Sequence, residues 1–103
     1  MLIELLFDPW LKSKVLEGIK YCTSRNKAHG VPGDTFCVGH KMYCLIKVEA
    51  KRLADVAGNC FHAEGCDTPE DFIQEYNRVY RHSARFNPEK IVIVHWFAEV
   101  GTK

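Results

Sequence analysis

Neither sign of charge dominates this 103-residue chain: 14 Lys and Arg stand against 13 Asp and Glu, leaving +1. Each phosphate neutralised needs a cation, so this balance speaks against a long duplex footprint while leaving room for a local basic patch. Long hydrophobic runs are missing too. Runs such as Ile91 to Val94 are far too short to cross a bilayer. No positive region precedes Met1–Phe7, which runs straight into Asp8-Pro9, so no export signal and a cytoplasmic location are expected. The five cysteines are odd in number and include no C-x-x-C, which predicts free thiols rather than a disulfide framework. There is no repeat, low-complexity tract or linker, and no G-x-S-x-G, P-loop or G-x-G-x-x-G. What remains is an ordinary globular mixture, 47% hydrophobic and 26% charged, read as one domain over residues 1–103.

Met1–Phe7 reads as a strand. Asp8-Pro9 then opens a short helix, since Asp caps free amides and Pro fits a first turn, and Gly18 closes it. Tyr21–Arg25 looks extended, and Asn26–Gly33 is a loop rich in turn residues. Thr35–Val38 and Tyr43–Glu49 are strand-like, joined through Gly39-His40-Lys41-Met42. Leu53–Ala57 suggests a helical turn ended by Gly58-Asn59. Thr68-Pro69-Glu70-Asp71 is a strong helix start, and Phe72, Ile73, Tyr76, Val79 and Tyr80 continue it to about His82 at helical spacing. Lys90–Val100 is the last strand. The order β-α-β-β-β-(α)-α-β lacks regular crossover helices, which predicts an α+β fold with an antiparallel sheet or small barrel.

The densest polar segment is Gly18–Arg25. A strand over 21–25 puts Tyr21, Thr23 and Arg25 on one face, with Lys20 just before it. A guanidinium, a hydroxyl and an ammonium at one sheet end suit an anionic or hydrogen-bonding ligand. Glu64, before Gly65 in a loop, is placed to point into a cleft. Arg25-Asn26-Lys27-Ala28-His29-Gly30 is a basic loop fit to hold phosphates or cover a pocket. Arg78, Arg81, His82 and Arg85 suit a helix C-terminus. Cys37-x-x-His40-x-x-x-Cys44 and Cys60-x-His62-x-x-x-Cys66 fit no familiar zinc finger, and no metal or cofactor is expected.

Several of these segments together resemble a known family. Gly18-x-Lys20-x-x-Thr23-x-Arg25 is followed by Pro32-Gly33-Asp34-x-Phe36-x-Val38, Ile46-x-Val48-Glu49, Ala63-Glu64-Gly65 and Thr68-Pro69-Glu70-Asp71-Phe72, in the order of an ASCH domain. The resemblance implies a PUA-like fold, a small mixed β-barrel flanked by helices, with a cleft bordered by the G-x-K-x-x-T-x-R segment. It implies RNA or a nucleoside or nucleotide as ligand, with neither DNA nor membrane expected. One branch of the family is a 4-acetylcytidine amidohydrolase, and another has been linked to ribonuclease activity. Carried over by position, the amidohydrolase residues are Lys20, Thr23 and Glu64, with Arg25, Lys27 and Tyr21 as ligand-holding neighbours. Two expectations follow: recognition of RNA or a modified nucleoside, or removal of an acyl group from a modified cytidine with Thr23 as nucleophile. A ribonuclease is the weakest of the three, because no paired His set stands at a readable spacing.

Overall fold

The computed structural model describes residues 1–83 and 85–103. Its elements are α1 (Pro9–Leu16), β1 (Cys22–Arg25), β2 (Thr35–Val38), β3 (Lys41–Arg52), α2 (Leu53–Asn59), α3 (Pro69–Val79) and β4 (Ile91–Thr102). The strands form one sheet in the order β1-β4-β3-β2, every neighbouring pair antiparallel. Register shifts at Met42/Tyr43 and Leu45/Lys47 break the β3–β4 ladder. Such irregularities bend and twist a sheet, and this one curls into a half-barrel. The fold is α+β, with three helices around that sheet among the described residues. Among the described residues no helix is long and apolar enough to cross a membrane.

Two clusters make the core. Val92 and Val94 of β4 meet Leu53, Val56, Phe72 and Tyr76 from α2 and α3. Phe97, on the opposite face, meets Leu5, Val15, Phe36, Tyr43 and Leu45. Alternation along β4 supplies both, since successive side chains leave opposite faces of a strand. Phe36 packs edge-on against Phe97 at 5.3 Å and stacks with Tyr43 at 5.6 Å.

Both Pro-led helices begin where their caps stand: Asp8 Oδ1 accepts from Leu11 N at 2.9 Å, and Thr68 Oγ1 from Asp71 N at 3.1 Å. Four departures from the expected boundaries matter most. Met1–Phe7 is not a strand. Its N-terminal end bridges β2 in parallel at Leu2–Thr35, and from there Leu5 turns into the core while the Leu6 carbonyl accepts from Arg25. The observed order is therefore α-β-β-β-α-α-β. The β2–β3 turn is tighter than expected, because Gly39 takes φ 58° and Val38 already pairs with Lys41. β3 runs on to Arg52, since its ladder with β4 continues past the alternating apolar stretch. α3 stops at Val79, three residues short of His82, in a turn where Ser83 N donates to Tyr80 O.

Candidate functional site

A cleft of about 160 Å³ lies along β1, the edge strand of the sheet, between the N-terminal segment and α3. Leu6, Phe7, Leu11, Phe72, Tyr76 and Tyr80 give it apolar walls. Lys20, Thr23, Ser24, Arg25 and Glu64 supply its polar groups.

Each polar residue is delivered by a local device. Gly18, at φ 76°, ends α1 and lets both Ile19 and Lys20 donate their N–H groups to Lys14 O. The chain then turns straight into β1. The Ala63 carbonyl accepts from both Tyr21 N and Cys22 N, which sets Glu64 against Lys20. Gly65 follows at φ 94°, and a Cβ there would sit 3.1 Å from Lys14 Cδ and 3.2 Å from Lys20 Cβ. Lys14 Nζ donates to Gly65 O at 2.8 Å and fastens the turn.

Glu64 is the hub. Its Oε1 accepts from Lys20 Nζ at 2.7 Å and its Oε2 from Ser24 Oγ at 2.6 Å, while Lys20 also donates to the Glu64 carbonyl at 3.2 Å. Lys20 and Glu64 are only 3% and 5% exposed, so each charge is held in the interior by the other. Thr23, 5% exposed, accepts at Oγ1 from Arg25 Nε at 3.4 Å. Arg25 donates to Leu6 O at 2.6 Å and lies 5.2 Å over the Phe7 ring. Burial is the largest influence on this guanidinium and lowers its pKa, with Tyr80 and Glu64 opposing. Burial raises Tyr80 in turn, against the pull of Arg25. Burial also raises the thiols of Cys22, in β1 and packed into the helix-side core, and Cys66, in the cleft wall. They are protonated thiols at neutral pH and poor nucleophiles.

At the mouth, Arg78 of α3 donates to Asp8 Oδ2 at 2.8 Å and pairs with Glu75. Burial raises the Asp8 pKa, but the Leu11 N–H and the Arg78 guanidinium together hold it below the ordinary range. Arg78 thus clamps α3 to the start of α1, a more specific role than answering its own helix dipole.

Lys20, Thr23, Arg25 and Glu64 converge on the cleft. Tyr21 and Lys27 do not line it. Tyr21 precedes β1, is 40% exposed, and packs its ring 6.3 Å from Trp96. Lys27 is exposed in the loop after Arg25. The sequence reading missed Ser24, because alternation assigns it to the face opposite Thr23. β1 is a sheet edge, so residues from both faces reach the cleft around it. It also missed Phe7 and Tyr80, read as strand and helix packing. Cys60 and Cys66 are buried in the helix-side core, and among the described residues no three metal-binding side chains come together.

No family model matches the chain, and no curated protein sequence does. Solved structures do. One is a protein from Enterococcus faecalis described under the DUF984 family model, at TM-score 0.66 and 18% identity over 90% of this chain and 68% of that one. Another is an ASCH domain from Lactobacillus crispatus, at TM-score 0.60 and 12% identity over 97% of this chain and 79% of that one. At such identities the likeness is one of fold. The curled antiparallel sheet and flanking helices give this chain the fold of that ASCH domain.

Proposed function

We propose that this protein recognises a single nucleobase, free as a modified nucleoside or presented by RNA, in the cleft along β1. One observation carries the reading: a polar cluster of buried Lys20, Thr23 and Glu64 with half-buried Ser24 closes an aromatic-walled cleft. At about 160 Å³ the cleft is well below the roughly 300–1,000 Å³ of drug-sized sites, which suits one ring system and not a folded chain. Aromatic walls stack any base, and Arg25, lying over Phe7, presents a planar donor to ring carbonyls. The near-zero net charge agrees with a short ligand.

The alternative is amide hydrolysis of an acylated cytidine, with Thr23 attacking. Its requirement is a base for the Thr23 proton. Lys20 donates to two Glu64 oxygens and makes no hydrogen bond to Thr23, whose hydroxyl accepts from Arg25. Lys20 is thus directed at Glu64 and not at the Thr23 hydroxyl, which favours recognition over turnover.

The experiment is incubation of purified protein with acylated cytidines and short single-stranded RNAs, with product read by chromatography and retained ligand by mass spectrometry. Saturable retention without product, weakened more by Arg25→Ala than by Thr23→Ala, is the expected result. Deacylated cytidine that disappears in Thr23→Ala would replace this reading with the hydrolase.

A further inference from the structure

His95 is fully buried in the middle of β4, yet it belongs to neither apolar cluster. Its ring connects two segments that flank the cleft residues. Nε2 lies 3.0 Å from the main-chain N–H of His29, in the 26–33 loop, and therefore accepts. In a neutral ring the one hydrogen is then on Nδ1, which donates to the Thr23 carbonyl at 3.3 Å. We infer that His95 is a positioning residue for the cleft, fixing Thr23 and fastening the loop after Arg25 through one tautomer, so that ligand binding is lost when His95 takes up a second proton. This rests on the cleft being the ligand site.

The chemistry of that loss is direct. A proton on Nε2 would face the His29 N–H, donor against donor, and the bond holding the loop would break. The new cation would also be repelled by Arg25. The titratable and charged groups facing His95 are His29, whose ring centroid is 5.8 Å away, and Arg25 on β1. From β3 its register partner is the uncharged Val48. Burial lowers the His95 pKa most, the Thr23 and Ile93 main-chain contacts raise it, and His29 and Arg25 lower it further. Elsewhere the loop is held by Val31 N on Asp34 Oδ2 at 2.9 Å and Gly33 N on Leu45 O at 2.9 Å. The His95 contact is therefore the tie nearest to Arg25.

Two substitutions separate the bonds. His95→Asn keeps a donor at the δ position for Thr23 O, and His95→Gln keeps an acceptor at the ε position for His29 N–H; neither titrates. Cytidine titrations by calorimetry between about pH 7.5 and 5 should show wild-type affinity falling up to about tenfold per pH unit once His95 protonates. His95→Asn, which lacks the acceptor for the His29 N–H, should bind about tenfold more weakly than wild type at neutral pH, the worth of one hydrogen bond, and show a flat profile. His29→Ala keeps the main-chain donor and should keep the pH dependence. A pH profile in His95→Asn that matches wild type overturns the inference. Amide exchange of His29 gives a readout that needs no ligand. Protection at neutral pH that is lost as His95 protonates is expected, and protection unchanged across the range overturns the inference whatever the calorimetry shows. Absence of any nucleoside or RNA retention overturns the proposed function instead, and the exchange result then decides the His95 latch alone.

Discussion

Lys20 and Glu64 hold opposite charges where water barely reaches, at 3% and 5% exposure. Their energetics are asymmetric. Removing both charges in favour of packed apolar side chains is often neutral, whereas removing one strands the other. Glu64→Gln should therefore destabilise the fold by about 3–5 kcal/mol, as read by denaturant unfolding, and Lys20→Met with Glu64→Leu should recover most of that loss. His95 sets a second residue-level expectation. Its folded pKa lies below the ordinary 6.5, so between those two values the unfolded chain binds more protons. The stability it contributes is complete above pH 6.5 and declines as pH falls toward the folded value. Thermal melts of wild type and His95→Asn should thus diverge on acidification, with wild type losing more. At this scale Lys20, Thr23, Arg25 and Glu64 were legible because their types and spacing carry chemistry within a few residues of sequence. Ser24 and His95 were not, because what they do depends on neighbours 40 and 72 positions away.

The elements best announced by sequence are those whose signal is local. Thr68-Pro69-Glu70-Asp71 opens α3 as written, and Thr68→Ala should cost about 1 kcal/mol in chemical denaturation, as loss of a cap does. Asp8-Pro9 opens α1 in the same way. The apolar run Met1–Phe7 misled because apolar content alone does not make a strand. Once Arg25 takes the Leu6 carbonyl and Asp8 caps the helix, that backbone is committed elsewhere. The extension of β3 to Arg52 was equally invisible, since it depends on a partner strand and not on its own pattern. The clamp of Arg78 on Asp8 and Glu75 ties two of these elements at the cleft mouth. Arg78→Ala should leave overall stability within about 1 kcal/mol, as exposed ion pairs do, while raising the ligand off-rate measured by stopped flow.

Across the whole molecule, two clusters share one sheet, and β4 contributes to both. Phe36 is fully buried among Phe7, Tyr43 and Phe97, so Phe36→Ala should destabilise by about 3–5 kcal/mol, checked by urea unfolding. The α+β class and antiparallel pairing could be read from element order, whereas the curl of the sheet could not, because it comes from register shifts that only pairing reveals. The Lys20–Glu64 contact closes a span of 44 residues and joins the strand side to the α2–α3 connection. Contacts this remote in sequence form late, after the chain has met its loop-closure entropy. Ligand capture in a refolding experiment should therefore lag the recovery of the helical signal and accompany the long-range pairing of β1 with β4.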